Sequence, residues 1–207
     1  MGDSITLKCS CGKLVGEIER SAANRSTRAL CFCVDCQAFA HYLGNHETVL
    51  DSQGGSDVTQ ISPARIRFSE GKEHLACMKL SDNGMVRWYA QCCNTPIGNT
   101  MANPKVPFIG LLHKCMYPSE GESLDDVFGP ATMVVYPEFA HGEPKPKGNS
   151  WSFALGVARL VKNIITARLL GDASRNPFFD FSTGNPITSP TILSEQERED
   201  LRTRVGT

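Results

Sequence analysis

The chain has 207 residues, of which 41% are hydrophobic and 21% are charged, and its formal net charge is −1. These proportions are ordinary for a globular protein, and the charge balance gives no global attraction to nucleic acid or to an anionic membrane. No apolar run is long enough to span a bilayer, and the first residues lack the basic and apolar regions of a signal peptide. We therefore expect a cytoplasmic protein without nucleic-acid or membrane partners.

The first two thirds of the chain is rich in short, strand-like segments. Residues 5–8 and 14–19 predict two strands joined by a turn at 9–12, and residues 28–33 predict a third. Six further strand signals follow, at 58–62, 64–68, 75–80, 86–90, 108–113 and 132–136. Because no long helix separates these segments, the pattern predicts a mainly β core of antiparallel sheets.

The composition changes at residues 143–149, a segment of prolines and lysines that is typical of a linker. Beyond it, apolar residues recur at helical spacing over 151–170 and predict an amphipathic helix, while residues 194–204 predict a short charged one. We therefore divide the chain into a β domain at residues 1–142 and a linker with a C-terminal helical extension at residues 143–207. The apolar face of the long helix could pack on the sheets or form a dimer, and the oligomeric state stays open.

Seven of the nine cysteines fall into three tight sets. A Cys-x-Cys pair is poorly placed to close a disulfide on itself, but it can direct two thiolates at one ion. Thiolate clusters select zinc or an iron–sulfur centre, and the short spacings favour zinc. The three sets are Cys9 with Cys11, Cys31 with Cys33 and Cys36, and Cys92 with Cys93.

These sets predict two zinc sites of different kinds. The middle set can wrap around one ion and leave its fourth position free, as catalytic zinc requires. We call it the open cluster, and it consists of Cys31, Cys33 and Cys36. The first and third sets could together complete a structural site. We call them the closed cluster, which consists of Cys9, Cys11, Cys92 and Cys93.

The three cysteine motifs resemble those of the glutathione-dependent formaldehyde-activating enzyme family, which includes the centromere-protein-V-like proteins. The resemblance covers roughly residues 5–115. The matching positions are Cys9, Cys11 and Gly12, then Cys31, Cys33, Cys36 and Gln37, and finally Cys93, Thr95 and Pro96.

That resemblance implies an Mss4-like β-tent, in which antiparallel sheets fold around zinc. It also implies carbon–sulfur lyase chemistry of the S-(hydroxymethyl)glutathione synthase type, with Cys31, Cys33 and Cys36 as the catalytic set. The partners would be a small thiol such as glutathione and formaldehyde or another small aldehyde. The alternative is a non-catalytic zinc module that binds a protein or a thiol metabolite. A nucleic-acid-binding zinc ribbon is disfavoured, since the basic residues are not clustered.

The third motif departs from the family pattern at two positions. Ala90 stands where the family has a cysteine, and Asn94 stands where it has a glycine. Cys92 could supply the missing ligand, although neighbouring residues rarely both reach one ion without distorting the turn that carries them. The closed site could instead recruit a histidine, keep three thiolates or be lost.

Several single residues near the clusters have weaker signals. His41 and His46 follow the open cluster and could carry a proton. Asn99 and Thr100 follow the third motif and could line a peptide-binding groove. Cys77 and Cys115 stand alone in apolar segments, which predicts buried structural thiols.

Overall fold

The computed structural model describes residues 4–205, and within that range it has twelve strands and five α-helices. The strands are β1 (Ser4–Lys8), β2 (Val15–Glu19), β3 (Thr27–Cys31), β4 (Ser56–Ile61), β5 (Ile66–Glu70), β6 (Leu75–Lys79), β7 (Val86–Ala90), β8 (Thr95–Thr100), β9 (Ile109–Leu112), β10 (Met116–Tyr117), β11 (Met133–Val135) and β12 (Thr191–Ile192). The helices are α1 (Val34–Tyr42), α2 (His46–Val49), α3 (Leu124–Phe128), α4 (Ser150–Leu169) and α5 (Glu195–Val205). The prediction of a mainly β protein with a C-terminal helix is confirmed.

The strands form two sheets. The small sheet has the order β10-β1-β2-β5, and the large sheet has the order β11-β3-β4-β9-β8-β7-β6-β12. The expectation of purely antiparallel sheets is wrong at both edges of the large sheet, where β11 runs parallel to β3 and β12 runs parallel to β6. Both edge strands are short and come from late parts of the chain. They return over long connections, which allow a parallel approach.

The main core lies between the two sheets. Along β1, Ile5 and Leu7 are fully buried while Thr6 between them is exposed, which is the period-two pattern of a strand with one covered face. Ile18 of β2 joins them, and all three pack in one cluster with Trp88 and Ile97 of the large sheet. Each such side chain contributes roughly 1.5–3 kcal/mol by leaving water.

Side chains from the segment after residue 142 pack into two of the hydrophobic clusters of the protein. Phe178 is fully buried, and its ring centroid lies 5.6 Å from that of Phe68 and 5.0 Å from that of Trp88. Leu201 of α5 packs in a second cluster with Phe39 of α1. The segment after residue 142 therefore contacts the β-sheets extensively, and the boundary drawn at 142 stays a prediction.

Helix α4 is present as predicted, but it buries its small residues and not its large ones. Gly156, Asn163 and Ala167 face the protein, whereas Trp151 is 71% exposed and Leu169 is 83% exposed. Of the two alternatives stated for the apolar face, packing on the sheets is therefore not observed for these large residues, and a dimer stays a prediction. Among residues 4–205, no helix is both long and apolar enough to cross a membrane.

Candidate metal centres and the adjoining cavity

The open cluster lies where a strand ends and a helix begins. Cys31 is the last residue of β3, Cys33 caps the N-terminus of α1, and Cys36 lies in the first turn of that helix. The backbone N–H of Cys36 donates to the sulfur of Cys33 at 3.4 Å. The three Sγ atoms all lie within 4.8 Å of one another, so the structure brings the predicted set together.

Gln37 and Phe32 fix the loop that carries this cluster. The Gln37 side chain is fully buried, and its amide Nε2 donates to the Phe32 carbonyl at 2.7 Å and to the Phe139 carbonyl at 3.1 Å. The Phe32 N–H donates to the carbonyl of Val135 at 2.9 Å, and its ring is fully buried. The loop is thus held from both sides, which limits the movement of the thiols.

The thiols of the open cluster have unequal acidities. Hydrogen bonds with Cys33 and Cys36, together with burial, raise the pKa of Cys31. The hydrogen bond with Cys31 lowers the pKa of Cys33, but the bond with Cys36 and burial outweigh it, so that pKa rises to about 12. Hydrogen bonds from Cys31 and Cys33 hold the pKa of Cys36 well below its usual value, and the charge of Arg87 adds to this. Cys36 is therefore the first thiolate of the set.

Arg87 places a positive charge beside this cluster. Its side chain is only 4% exposed, and its Nη2 lies 3.4 Å from the Asp35 carboxylate. Its Nη1 donates to the side-chain Oδ1 of Asn99 at 3.3 Å, and the guanidinium carbon lies 5.6 Å from the centre of the Phe39 ring. A dication with three thiolates carries a net charge of −1, which a buried guanidinium would offset.

The closed cluster is compact enough to hold one metal ion. The sulfur of Cys9 lies 3.5 Å from that of Cys11 and 3.8 Å from that of Cys92. Cys92 lies 3.3 Å from Cys11 and 3.8 Å from Cys93, and all four sulfurs lie within 4.8 Å of one another. Zinc–sulfur bonds of 2.3 Å in a tetrahedron separate neighbouring sulfurs by about 3.8 Å, so the donor set fits zinc. Within residues 4–205 this group contains no histidine.

The turn after β7 explains how two adjacent cysteines reach one centre. The Cys93 N–H donates to the Ala90 carbonyl at 3.2 Å, and Asn94 then adopts a left-handed backbone with φ of 55°. Asparagine is one of the few residues other than glycine that tolerate this conformation. Its side-chain amide donates to the Leu43 carbonyl at 3.2 Å, and the Asn45 amide donates to the Asn94 carbonyl at 2.8 Å. Cys92 can therefore supply the fourth thiol, and the left-handed backbone at Asn94 is the local distortion expected when two neighbouring cysteines reach one centre.

The acidities within the closed cluster also differ. Burial raises the pKa of Cys93, but hydrogen bonds from Ser10 and Thr95 outweigh it and bring that pKa down to about 5. The Thr95 hydroxyl lies 3.1 Å from the Cys93 sulfur and also accepts the backbone N–H of Ser10 at 2.9 Å. Burial and the neighbouring thiols raise the pKa of Cys92. One thiolate is thus already favoured before any ion binds.

The remaining predicted residues fall outside both clusters. The rings of His41 and His46 stack on each other with centroids 4.0 Å apart, and neither belongs to a metal-capable group of the described residues. Cys77 and Cys115 are buried, and burial raises both of their pKa values to about 12. The prediction of buried structural thiols at these two positions is confirmed.

The open cluster lines a cavity of about 680 Å³. Its floor is one face of the large sheet from β11 to β7, and its roof is the side of α4 that carries Phe153, Val157 and Leu160. Of the two predicted groove residues, Asn99 lines this cavity. Thr100 is not among the lining residues, and its hydroxyl accepts the indole N–H of Trp88 at 2.9 Å. The sequence does contain a signal for the roof of this cavity. Phe153, Val157 and Leu160 are four and three residues apart, which is the helical spacing of a second apolar face on α4.

Residues 1–190 match the model of a family of unknown function, DUF6151. No curated protein matches this chain. A solved structure, the crystal structure of a Rhodobacter sphaeroides protein, is 18% identical and aligns over 58% of this chain and 93% of that one, with a TM-score of 0.38. At that identity and TM-score the alignment supports no statement about function.

Proposed function

Since the chain belongs to the DUF6151 family, whose function is unknown, we propose a function from the geometry of its cysteines and from the resemblance of its motifs to the glutathione-dependent formaldehyde-activating enzymes, which alone supplies the substrates. It is a zinc-dependent, carbon–sulfur lyase-like protein that adds a thiol such as glutathione to formaldehyde or another small aldehyde. The observation that carries this proposal is the convergence of Cys31, Cys33 and Cys36 within 4.8 Å on the wall of a cavity. Three thiolates leave one position of a tetrahedral ion for a substrate.

The chemistry needs a deprotonated substrate thiol and a polarised carbonyl. Zinc in the open cluster would keep a bound thiol deprotonated at neutral pH and so make it nucleophilic. In the addition, one carbon–sulfur bond forms, the carbonyl π pair moves to oxygen, and that oxygen takes up the proton that the thiol released. Arg87 and Asn99 line the same cavity and carry N–H groups that can stabilise the developing alkoxide.

We also propose that the two sheets form an Mss4-like β-tent in which a second zinc ion is bound by residues of both sheets. The support is the position of the closed cluster, because Cys9 follows β1 of the small sheet and Cys92 follows β7 of the large one. An ion held there would join the two sheets directly. Such structural zinc sites contribute folding free energy.

The second candidate is a non-catalytic zinc module that binds a protein or a thiol metabolite. The closed cluster favours it, because a four-thiolate site stabilises a fold without any chemistry. The two candidates differ in what the open cluster does once it is loaded. A catalytic cluster exchanges its fourth ligand with substrate, whereas a structural cluster does not.

The experiment compares the zinc-loaded protein with two cysteine variants. Exchange of formaldehyde between water and glutathione is followed by two-dimensional exchange NMR. We expect the wild type to accelerate this exchange, Cys36→Ser to lose the acceleration, and Cys77→Ser to retain it. Cys77 is the matched control because it is a buried thiol outside both clusters, bonded to the Thr188 carbonyl. If the wild-type protein is folded and carries zinc but does not accelerate the exchange, the non-catalytic module is favoured.

A further inference from the structure

The segment that forms α4 carries most of the large hydrophobic side chains that the protein leaves in contact with solvent. Of the fourteen such side chains that are exposed among residues 4–205, eight lie within residues 151–170. Apolar side chains that are exposed singly are ordinary on a protein surface, whereas a contiguous set marks an interaction surface. The outward side of α4 is therefore a candidate binding surface.

The most exposed of these residues lie along one side of the helix. At 3.6 residues per turn, Trp151, Ile165 and Leu169 lie within about 40° of one another around the axis of α4. The buried residues Gly156 and Ala167 lie roughly on the opposite side, where the helix contacts the protein. We call the outward surface the outer stripe, and its members are all exposed: Trp151, Ala154, Ala158, Val161, Ile165 and Leu169.

The charged residues around the outer stripe are all basic. Residues 144–171 contain five of the chain's 21 basic residues and none of its 22 acidic ones. On the helix, Arg168 and Lys162 are exposed and lie about 60° to either side of Ile165. Neither forms an ion pair with another residue of the described range 4–205. The outer stripe thus has an apolar centre and two positively charged edges.

This distribution of charge distinguishes between the partners that an apolar helix face can have. A second copy of α4 would bring the same basic residues to the interface, and neither helix carries a carboxylate to pair with them. A membrane surface with anionic headgroups complements both features, because the boundary of the acyl chains takes the apolar side chains and the headgroups attract the basic ones. Long basic side chains can lie along the apolar surface and direct their charged ends at the headgroups.

We propose that the outer stripe of α4 docks on an anionic lipid surface, with the helix axis parallel to the membrane. The expectation of no membrane partner rests on the net charge of the whole chain, which is −1. Because salt screens charges beyond about 10 Å, the attraction to headgroups depends on the charges close to them and not on that net charge. The inference is independent of the reaction at the open cluster, since the outer stripe contains no cysteine.

The first test follows tryptophan emission of the zinc-loaded chain on vesicles. Trp88 is fully buried and Trp151 is 71% exposed, and these are the two tryptophans of the chain, so a change in emission reports on Trp151. With phosphatidylcholine vesicles that contain about 30% phosphatidylserine, we expect a shift to shorter wavelength and binding at least tenfold tighter than to phosphatidylcholine alone. The affinity should fall when salt is raised from about 0.1 M to about 0.5 M. Absence of binding, or equal affinity for the two kinds of vesicle, would overturn the proposal.

A pair of glutamate variants localises the binding surface. Leu169→Glu places a negative charge in the outer stripe, whereas Ile192→Glu places one on β12, at the edge of the large sheet opposite to β11. Both side chains are exposed, so both variants should fold. We expect Leu169→Glu to lower the affinity for the phosphatidylserine vesicles at least tenfold, and Ile192→Glu to change it less than about twofold. Equal affinities in the two variants would place the binding surface elsewhere and overturn the proposal.

A second variant tests the charged edges without touching the apolar centre. Each basic side chain near an anionic surface supports about a fivefold gain in affinity, so a Lys162→Gln, Arg168→Gln double variant should bind at least tenfold more weakly. An unchanged affinity would contradict the role given to the two basic residues. The rival occupant has its own signature in light scattering. A wild type that ignores both kinds of vesicle and forms a dimer that Leu169→Glu separates would assign the outer stripe to a second copy.

Discussion

At the scale of single residues, the sequence predicts which cysteines belong to each cluster, but it does not predict how the backbone brings them together. Their type and spacing predict both clusters, because thiolates at such intervals suit one ion. The convergence of Cys92 with Cys93 depends on the left-handed backbone of Asn94, which no spacing rule supplies. Asparagine at that position is a usable signal, since it tolerates positive φ. Arg87 was missed because no motif marks it and only the fold brings it beside the open cluster.

Asn94 provides the residue-scale prediction. Asn94→Val forces a β-branched residue into the left-handed region, and we expect it to lower the free energy of unfolding by about 1–3 kcal/mol. Asn94→Gly keeps the backbone conformation and loses only the amide bond to Leu43, so we expect a cost below about 1 kcal/mol. Chemical denaturation measures both. If the two variants were equally stable, the strained turn would not be what positions the cysteines.

At the scale of elements, periodicity predicts α4 within one residue at each end, but it cannot choose the buried face. Large apolar residues lie almost all around this helix, so the sequence offers two candidate faces. The close approach of α4 to β11 decides between the two faces. Gly156 lies against the side chain of Met133, and a Cβ at position 156 would overlap the Met133 sulfur. Small residues therefore face the protein, and a large apolar stripe stays exposed. The strand signal at 132–136 does predict β11, but its parallel pairing with β3, and that of β12 with β6, cannot be read from periodicity because both depend on long connections.

The orientation of α4 gives the element-scale prediction. Ile165 is 54% exposed and Ala167 is 4% exposed, although they lie two residues apart on one helix. We expect Ile165→Lys to change the free energy of unfolding by less than about 0.5 kcal/mol. Ala167→Lys buries a charge and should cost about 2 kcal/mol or more. A melting experiment that found the larger loss at position 165 would mean that the helix is rotated.

At the scale of the whole molecule, the sequence predicts a separate C-terminal extension, whereas the structure places its side chains among the sheets. Phe178 fills space between Phe68 and Trp88, and β12 extends the large sheet beside β6. Linker composition at 143–149 marks a change in local structure and carries no information about where the later residues pack. Long-range contacts of this kind depend on the complete fold.

Phe178 therefore provides the prediction at this scale. We expect Phe178→Ala to lower the free energy of unfolding by about 3–5 kcal/mol, because it removes a fully buried ring. Phe181→Ala is the matched control, since that ring is 48% exposed, and it should cost below about 1 kcal/mol. Denaturation should remain a single transition in both variants. Two separate transitions in the wild type would instead show that the extension unfolds as an independent unit.

The central claim is that two separate cysteine clusters each hold one zinc ion. Native mass spectrometry of the zinc-saturated chain measures this directly, on the wild type and on a Cys33→Ser, Cys36→Ser double variant. The double variant leaves the closed cluster intact, so it should fold and keep its structural ion. The account predicts two zinc ions in the wild type and one in the double variant. A wild type without zinc, or the same count in both proteins, would contradict it.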